Sequence, residues 1–342
     1  MKRKAAESRR AGSSNRRRTK LRNGKVSIQD VARRARVSLG TVSRVINQKE
    51  DVAPELRRRV FLAGRELGFV PRVKTSQIAV ITGRVSPFSS VGYVTTLVAL
   101  LAKYLSHHKY SINLLDVDNL DLVYQSNVQG VIGIVFDERI SMLQGFPQLP
   151  VLTLNCPLKE HGFHSVSWDH AEQTRLATDH LIDHGHRRIA YLENEPDSWG
   201  ARNRLAGYRE SLAKAGIPYS PELVGYTIGH RLYEVMSRLL QKGVTGLLNF
   251  SEDTCLDVIH LLSGIYKIRV PEDLSVVTME NLPVFQYFNP PHTVVVQPFD
   301  ELARIAVEQM VRLCENPELQ NGAPVDIVLP NRLVSRDSVK RI

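Results

Sequence analysis

The residues able to do chemistry are scattered, and few fall at reactive spacings. His180 and His184 stand four apart on one helical face, with His186 just beyond. Imidazoles so placed can ligate a metal, but no carboxylate or cysteine completes the set at a recognised interval. A structural role is expected for them, and for the loop pair His161 and His164. Asp169 and Glu280 are carboxylates that can act as acid and base in glycoside hydrolysis, yet nothing in the sequence fixes their separation. The chain has no Gly-x-Ser-x-Gly nucleophile turn and no phosphate-binding P-loop. Cys156, Cys255 and Cys314 lie far apart and are odd in number, so neither a zinc site nor a disulfide framework is expected. Catalysis is the weaker class of function here, and no cofactor or metal is expected.

Binding chemistry is better represented, and charge shows it first. The net charge of the 342 residues is +10. Residues 1–25 carry eleven Lys/Arg and one acid, and residues 26–76 carry eleven and five. Everything beyond is net acidic, so the whole positive excess sits at the N-terminal end. Concentrated positive charge releases condensed counterions on meeting phosphate, which predicts salt-dependent nucleic-acid binding. Residues 1–25 are poor in apolar side chains and are expected to form a disordered basic arm. They do not read as a secretory leader, and no apolar run is long enough for a bilayer. With cysteines that do not pair, this leads to an expected cytoplasmic location and no membrane partner. A freestanding, exported ligand-binding protein would need such a leader and would have no use for the basic end.

Three short helical patterns follow the arm and position polar side chains. Ser27 with Asp30 three residues on is a capping-box variant, followed by Ile28, Val31, Ala32 and Ala35 on one face. Ser38 is an N-cap for a second helix whose inward face is Leu39, Val42, Val45 and Ile46. Pro54 opens a third, with Leu56, Val60, Ala63 and Leu67 as its stripe and Gly68 as its stop. Two helices joined by about four residues (35–38) and closed by a third make a helix-turn-helix over residues 26–72. The second helix would enter the major groove, led by its N-terminal residues. Gly40, Thr41, Ser43 and Arg44 then face DNA, while Ser27 and Asn47 hold its backbone. A plain three-helix bundle is the alternative.

From Ile78 onward short apolar strands alternate with amphipathic helices. Strands are expected at 78–81, 112–115, 131–135, 151–154, 166–168, 189–192, 247–250, 275–279 and 294–296. Helices are expected at 93–105, 171–184, 202–215, 232–241, 253–262 and 301–314. The fold class is α/β: parallel sheets flanked by helices in two lobes, behind a three-helix headpiece. Ligands of such sheets lie beyond the C-terminal strand ends. That places Ser86, Phe88, Asp169, Trp199, Arg204, Phe250, Glu252 and Glu280 around a cleft. Aromatic faces, carboxylates and an Arg suit a polyhydroxylated or anionic small molecule. Carboxylates accept hydroxyl hydrogen bonds and rings cover apolar sugar faces, so a carbohydrate is one effector that fits this set. Any one of these residues can instead cap a helix or line a wet rim.

The headpiece resembles that of the lactose/galactose-repressor (LacI/GalR) family. The resemblance is carried by Val26-Ser-Ile-Gln-Asp-Val-Ala32, Thr41-Val-Ser-Arg-Val-Ile-Asn47 and Leu67-Gly-Phe-Val-Pro71. It runs more loosely through the core, in Gly185-His-Arg-Arg-Ile-Ala190, Arg202-x-Arg-x-x-Gly-Tyr208 and Asn289-Pro-Pro-His-Thr-Val294. It implies a periplasmic-binding-protein-like core over 78–342. The N-terminal lobe would comprise about 78–157 and 293–320, and the C-terminal lobe about 158–292 and 321–342. It also implies operator choice through Leu39 and Gly40, and effector contact through Arg204. Leu39 offers only apolar contact and Gly40 no side chain, so DNA reading leans on Arg44 and on DNA shape.

The pattern departs from the family at residues 73–77, a short linker. Members carry there a hinge helix with Ala-Arg-x-Leu, whereas this chain has Arg72-Val-Lys-Thr-Ser-Gln77. Weaker coupling between cleft and DNA is therefore expected. Ser251-Glu252 and Glu280-Asn281 also differ from the family's usual residues. The implied function is a repressor that binds a pseudo-palindromic double-stranded operator as a homodimer and senses a sugar-like effector. A regulator whose core no longer responds to a small molecule, or a plain ligand-binding protein, is the alternative. No C-terminal leucine heptad follows the core, so tetramers of that type are not expected.

Overall fold

In the computed structural model the described residues are 26–47, 49, 51–69, 76–83, 92–135, 138–145, 149–194, 196–228, 231–250, 255–279 and 283–342. The basic arm and all but two residues of the junction 70–77 lie outside them, as do Ser86, Phe88, Glu252 and Glu280. The chain divides into two units, residues 1–71 and 72–342.

The first unit is three helices, α1 (Ile28–Ala35), α2 (Leu39–Ile46) and α3 (Pro54–Glu66). Ser27 starts α1 with a reciprocal capping box, its hydroxyl and Asp30 serving each other's backbone N–H. Arg36 ends α1 in the left-handed region, with φ 54°, and turns the chain towards Ser38. Gly68, at φ 67°, ends α3 in the same way. Its N–H donates to Arg65 O, and Phe69 N–H reaches back to Gly64 O at 2.7 Å, a double bond pattern that satisfies the last carbonyls. Val31, Ala35, Val42, Val45, Val60 and Phe61 form the core; Leu39 instead stays 49% exposed. Its expected place on the inward face is corrected: Leu39 opens α2 and lies on its exposed side.

Arg59 braces this unit in a way the apolar pattern does not reveal. Its Nη2 donates to the carbonyls of Ala35 (2.6 Å) and Arg36 (3.0 Å), the orphaned end of α1. Arg59→Ala is expected to cost the headpiece about 1.5–3 kcal/mol, because both bonds are charge-assisted. Thermal unfolding of the headpiece, read by amide exchange in α1, checks it; unchanged protection would refute the brace.

The second unit holds two six-stranded sheets. The first contains β1 (Ser76–Thr82), β2 (Tyr110–Asp116), β3 (Val128–Ile134), β4 (Val151–Leu154), β5 (His164–Trp168) and β11 (Asp326–Leu329), in the order β11-β5-β4-β3-β1-β2, all parallel. Helices α4 (Tyr93–His107) and α10 (Phe299–Glu315) cover it with Leu97, Leu101, Leu302, Ala306 and Met310. A 3-10 turn (Val117–Asn119) and the five-residue α5 (Asp121–Gln125) occupy the short stretch before β3.

The second sheet contains β6 (Ile189–Glu193), β7 (Val224–Tyr226), β8 (Gly246–Phe250), β9 (Ser275–Met279), β10 (Thr293–Val296) and β12 (Arg332–Val334), in the order β12-β10-β9-β8-β6-β7. Only β12 runs antiparallel to its neighbour. Helices α6 (His170–Asp183) and α7 (Trp199–Lys214) bury Ala177, Leu181, Tyr208 and Leu212 against it. Helices α8 (Leu232–Gln241) and α9 (Cys255–His260) bury Met236, Leu239 and Val258 in a separate cluster with β6, β8 and β9.

Sheet membership moves the expected lobe limits. The chain crosses from the first sheet to the second at Asp169, returns at Gln297–Pro298, and crosses again at Pro330–Asn331. So β5 and β11 belong with the N-terminal lobe and β10 with the C-terminal one, against the expected 158, 293 and 321. Burial patterns show that a strand is internal but not which sheet it joins.

Candidate functional site

Helix α2 is built to present one polar face. Ser38 Oγ accepts the Thr41 N–H at 3.0 Å and meets Thr41 Oγ1 at 2.8 Å, fixing the first turn. With Val42, Val45 and Ile46 buried, Leu39, Gly40, Ser43 and Arg44 remain exposed. Arg44 pairs with Asp51, beyond the end of the helix. The pair is more than half exposed on both sides, so it holds the guanidinium loosely and releases it to phosphate or a base edge at little cost. Asn47 instead turns its Nδ2 back to Ser43 O at 2.8 Å. Ser27 is likewise engaged in its capping box, donating its hydroxyl to Asp30 at 2.6 Å. These bonds hold the Asp30 carboxyl below the usual carboxylate range. Both side chains serve the fold, and both stay exposed, with Asn47 Oδ1 making no bond in the helix.

In the core the described residues gather Arg204 and Trp199 around His170, with Glu193 beside them. Arg204, on the second turn of α7, is the centre. Its Nε donates to Glu193 Oε2 at 2.7 Å and its Nη1 to His170 Nδ1 at 3.0 Å. Glu193 is the last residue of β6 and is 1% exposed. Its carboxylate also accepts Tyr191 OH (2.7 Å) and Asn194 N–H (2.9 Å). His170 opens α6 and is buried; burial first, and Arg204 second, push its pKa well down, so the ring is neutral. Trp199 opens α7 behind the N-cap Ser198 and stands edge-on to His170, with centroids 5.2 Å apart. Trp168, at the end of β5, has its ring centroid 5.6 Å from that of His170.

Two expected residues make structural contacts. Asp169 N-caps α6, accepting Glu172 N–H at 2.8 Å, and pairs with Arg175. Its carbonyl accepts Asn331 Nδ2 at 2.7 Å, tying two of the inter-lobe crossings together. Phe250 is fully buried and stacks on Tyr191 at 6.0 Å. A strand-end position suits a core ring as well as a ligand-facing one. Arg204 and Trp199 both touch His170, which with Glu193 was not among the expected residues. The signal for Glu193 was a lone acid ending the apolar run Ile189-Ala-Tyr-Leu. The histidines at 180, 184 and 186 serve the fold: His184 Nδ1 bonds His180 O, and His186 Nε2 bonds Lys340 O. Among the described residues no group of His, Cys, Asp or Glu is placed to hold a metal.

Three family models match the chain. Residues 27–72 match "Bacterial regulatory proteins, lacI family". Residues 80–230 match "Periplasmic binding proteins and sugar binding domain of LacI family", and residues 178–339 match "Periplasmic binding protein-like domain". The HTH-type transcriptional repressor PurR of Pasteurella multocida is 28% identical, over 92% of this chain and 98% of its own length. The ribose operon repressor of Escherichia coli K12 is 27% identical, over 86% and 94%. The solved transcriptional regulator CelR–cellobiose complex superposes with a TM-score of 0.65 at 29% identity, covering 92% of this chain and all of that one.

Proposed function

Because the chain belongs to the lacI family of bacterial regulatory proteins, we propose that it is a sequence-specific transcription regulator whose DNA affinity is set by a small, hydroxyl-bearing molecule in its core. The observation that carries this is α2: a capped helix with its apolar side buried and Leu39, Gly40, Ser43 and Arg44 exposed. Those residues read the major groove. A homodimer places two such helices on the half-sites of a pseudo-palindromic operator. Repression is the mode assigned, since the named relatives are repressors. The cytoplasm, where the DNA is, is the assigned location. No helix among the described residues is long and apolar enough to cross a membrane. Arg204, Trp199 and His170 form the ligand site, at the ends of elements that meet where the lobes join. Closing the lobes on a ligand changes the spacing of the headpieces, which is how occupancy reaches DNA.

The test titrates full-length protein, bound to a duplex it has itself selected, with neutral sugars. Sugar binding is read from tryptophan fluorescence and DNA binding from anisotropy. A sugar that binds is expected to change the DNA Kd about five-fold, the low end of allosteric coupling. Sugar binding that leaves DNA affinity unchanged overturns the proposed control.

A further inference from the structure

We propose that Glu193 is the selectivity residue of the ligand site: by neutralising Arg204 from inside the protein, it restricts the site to uncharged, hydroxyl-bearing molecules and bars carboxylated or phosphorylated ones. This rests on the assignment of Arg204 to that site. A guanidinium in a ligand site ordinarily invites an anion, because the fork of N–H donors matches carboxylate and phosphate. Here the anion is already supplied by the chain. Glu193 Oε2 takes Arg204 Nε at 2.7 Å, and with Tyr191 OH and Asn194 N–H on the same carboxylate its place is fixed. Arg204 is 12% exposed at its side chain and Glu193 1%, so the pair is shielded from screening by salt. A second anion would find the positive charge met and a like charge held beside it.

What the site offers instead is neutral hydrogen bonding. A guanidinium has no lone pair, so at the 3.0 Å contact His170 Nδ1 must be the acceptor. The ring proton then sits on Nε2. That atom is buried and meets no hydrogen-bond partner among the described residues, and neither does Trp168 Nε1. Two orphaned donors among the rings of Trp168, His170 and Trp199 call for an acceptor oxygen that brings no charge. A sugar hydroxyl or ring oxygen provides one.

The chain has two tryptophans, Trp168 and Trp199, so intrinsic fluorescence reports this region alone. Full-length wild type and Glu193→Gln are titrated with inorganic phosphate, the simplest anion able to meet Arg204. Wild type is expected to give no saturable change. Glu193→Gln is expected to saturate at a concentration at least about ten-fold lower than any wild-type response, and adding Arg204→Gln is expected to abolish it. If circular dichroism shows that Glu193→Gln does not fold, Glu193→Asp, which withdraws the carboxylate by one methylene, takes its place under the same criterion. A wild type that saturates as tightly as the variant, a variant as silent as wild type, or a response that survives Arg204→Gln each overturns the inference. The reading of the core as a sensor fails separately, through DNA affinity that ignores bound sugar.

Discussion

Arg204→Leu is expected to destabilise the core by about 3–5 kcal/mol. The reason lies less in what leucine lacks than in what it leaves behind. Glu193 is buried at 1% exposure, and its carboxylate keeps only the Tyr191 hydroxyl and the Asn194 N–H when the guanidinium goes. A buried charge without its counter-charge is among the costliest defects a core can hold. His170 loses its partner at Nδ1 in the same stroke. Pairing the change with Glu193→Gln removes the stranded charge and is expected to recover more than half of the loss. Urea unfolding of the core, as a double-mutant cycle, measures both numbers. A loss below about 1 kcal/mol would mean that the pair is wet and exposed, not buried.

Gly207→Ala is expected to cost about 2–3 kcal/mol and to lower the melting temperature of the core by about 5–10 °C. A Cβ at this position would overlap the carbonyl oxygen of Ala171 and stand 3.0 Å from its Cα. Those are backbone atoms of α6, which cannot rotate aside, so the two helices must separate. Ala171 follows His170 directly, and Arg204 is one turn before Gly207 on α7. Separation therefore also stretches the His170–Arg204 bond. The ligand response should weaken while DNA sequence preference stays, because the headpiece is a separate unit. Differential scanning calorimetry with the tryptophan titration checks both; an unchanged melting temperature would mean that α6 can yield at Ala171.

Much of this architecture is legible in the sequence because it is written in local periodicity. The three headpiece helices start at Ile28, Leu39 and Pro54, each where its capping or proline signal stands. The strands β4 and β9 also match their apolar runs. What stays hidden is set at long range. Strands β7 and β12 have only three residues each, too few to show alternation, and β11, at a sheet edge, is only partly buried. Whether β5 joins the first sheet depends on β4 and β11, the latter some 160 residues away. Asp169 illustrates a deeper ambiguity. A carboxylate between a strand and a helix can cap the helix or bind a ligand, and only the structure shows that Asp169 Oδ1 takes the Glu172 N–H at 2.8 Å. Glu193 was passed over because its partner sits eleven residues on, in another element.

The most direct test of the account is what DNA the full-length protein selects. Randomised duplexes are passed over wild type and over Arg44→Ala near physiological salt, and the retained pools are sequenced. The account predicts a pseudo-palindromic site with two half-sites in the wild-type pool, and loss of its Arg44-dependent positions in the variant. Retention that tracks salt alone, with no shared sequence in either pool, would contradict it and leave the basic N-terminal arm as the DNA contact.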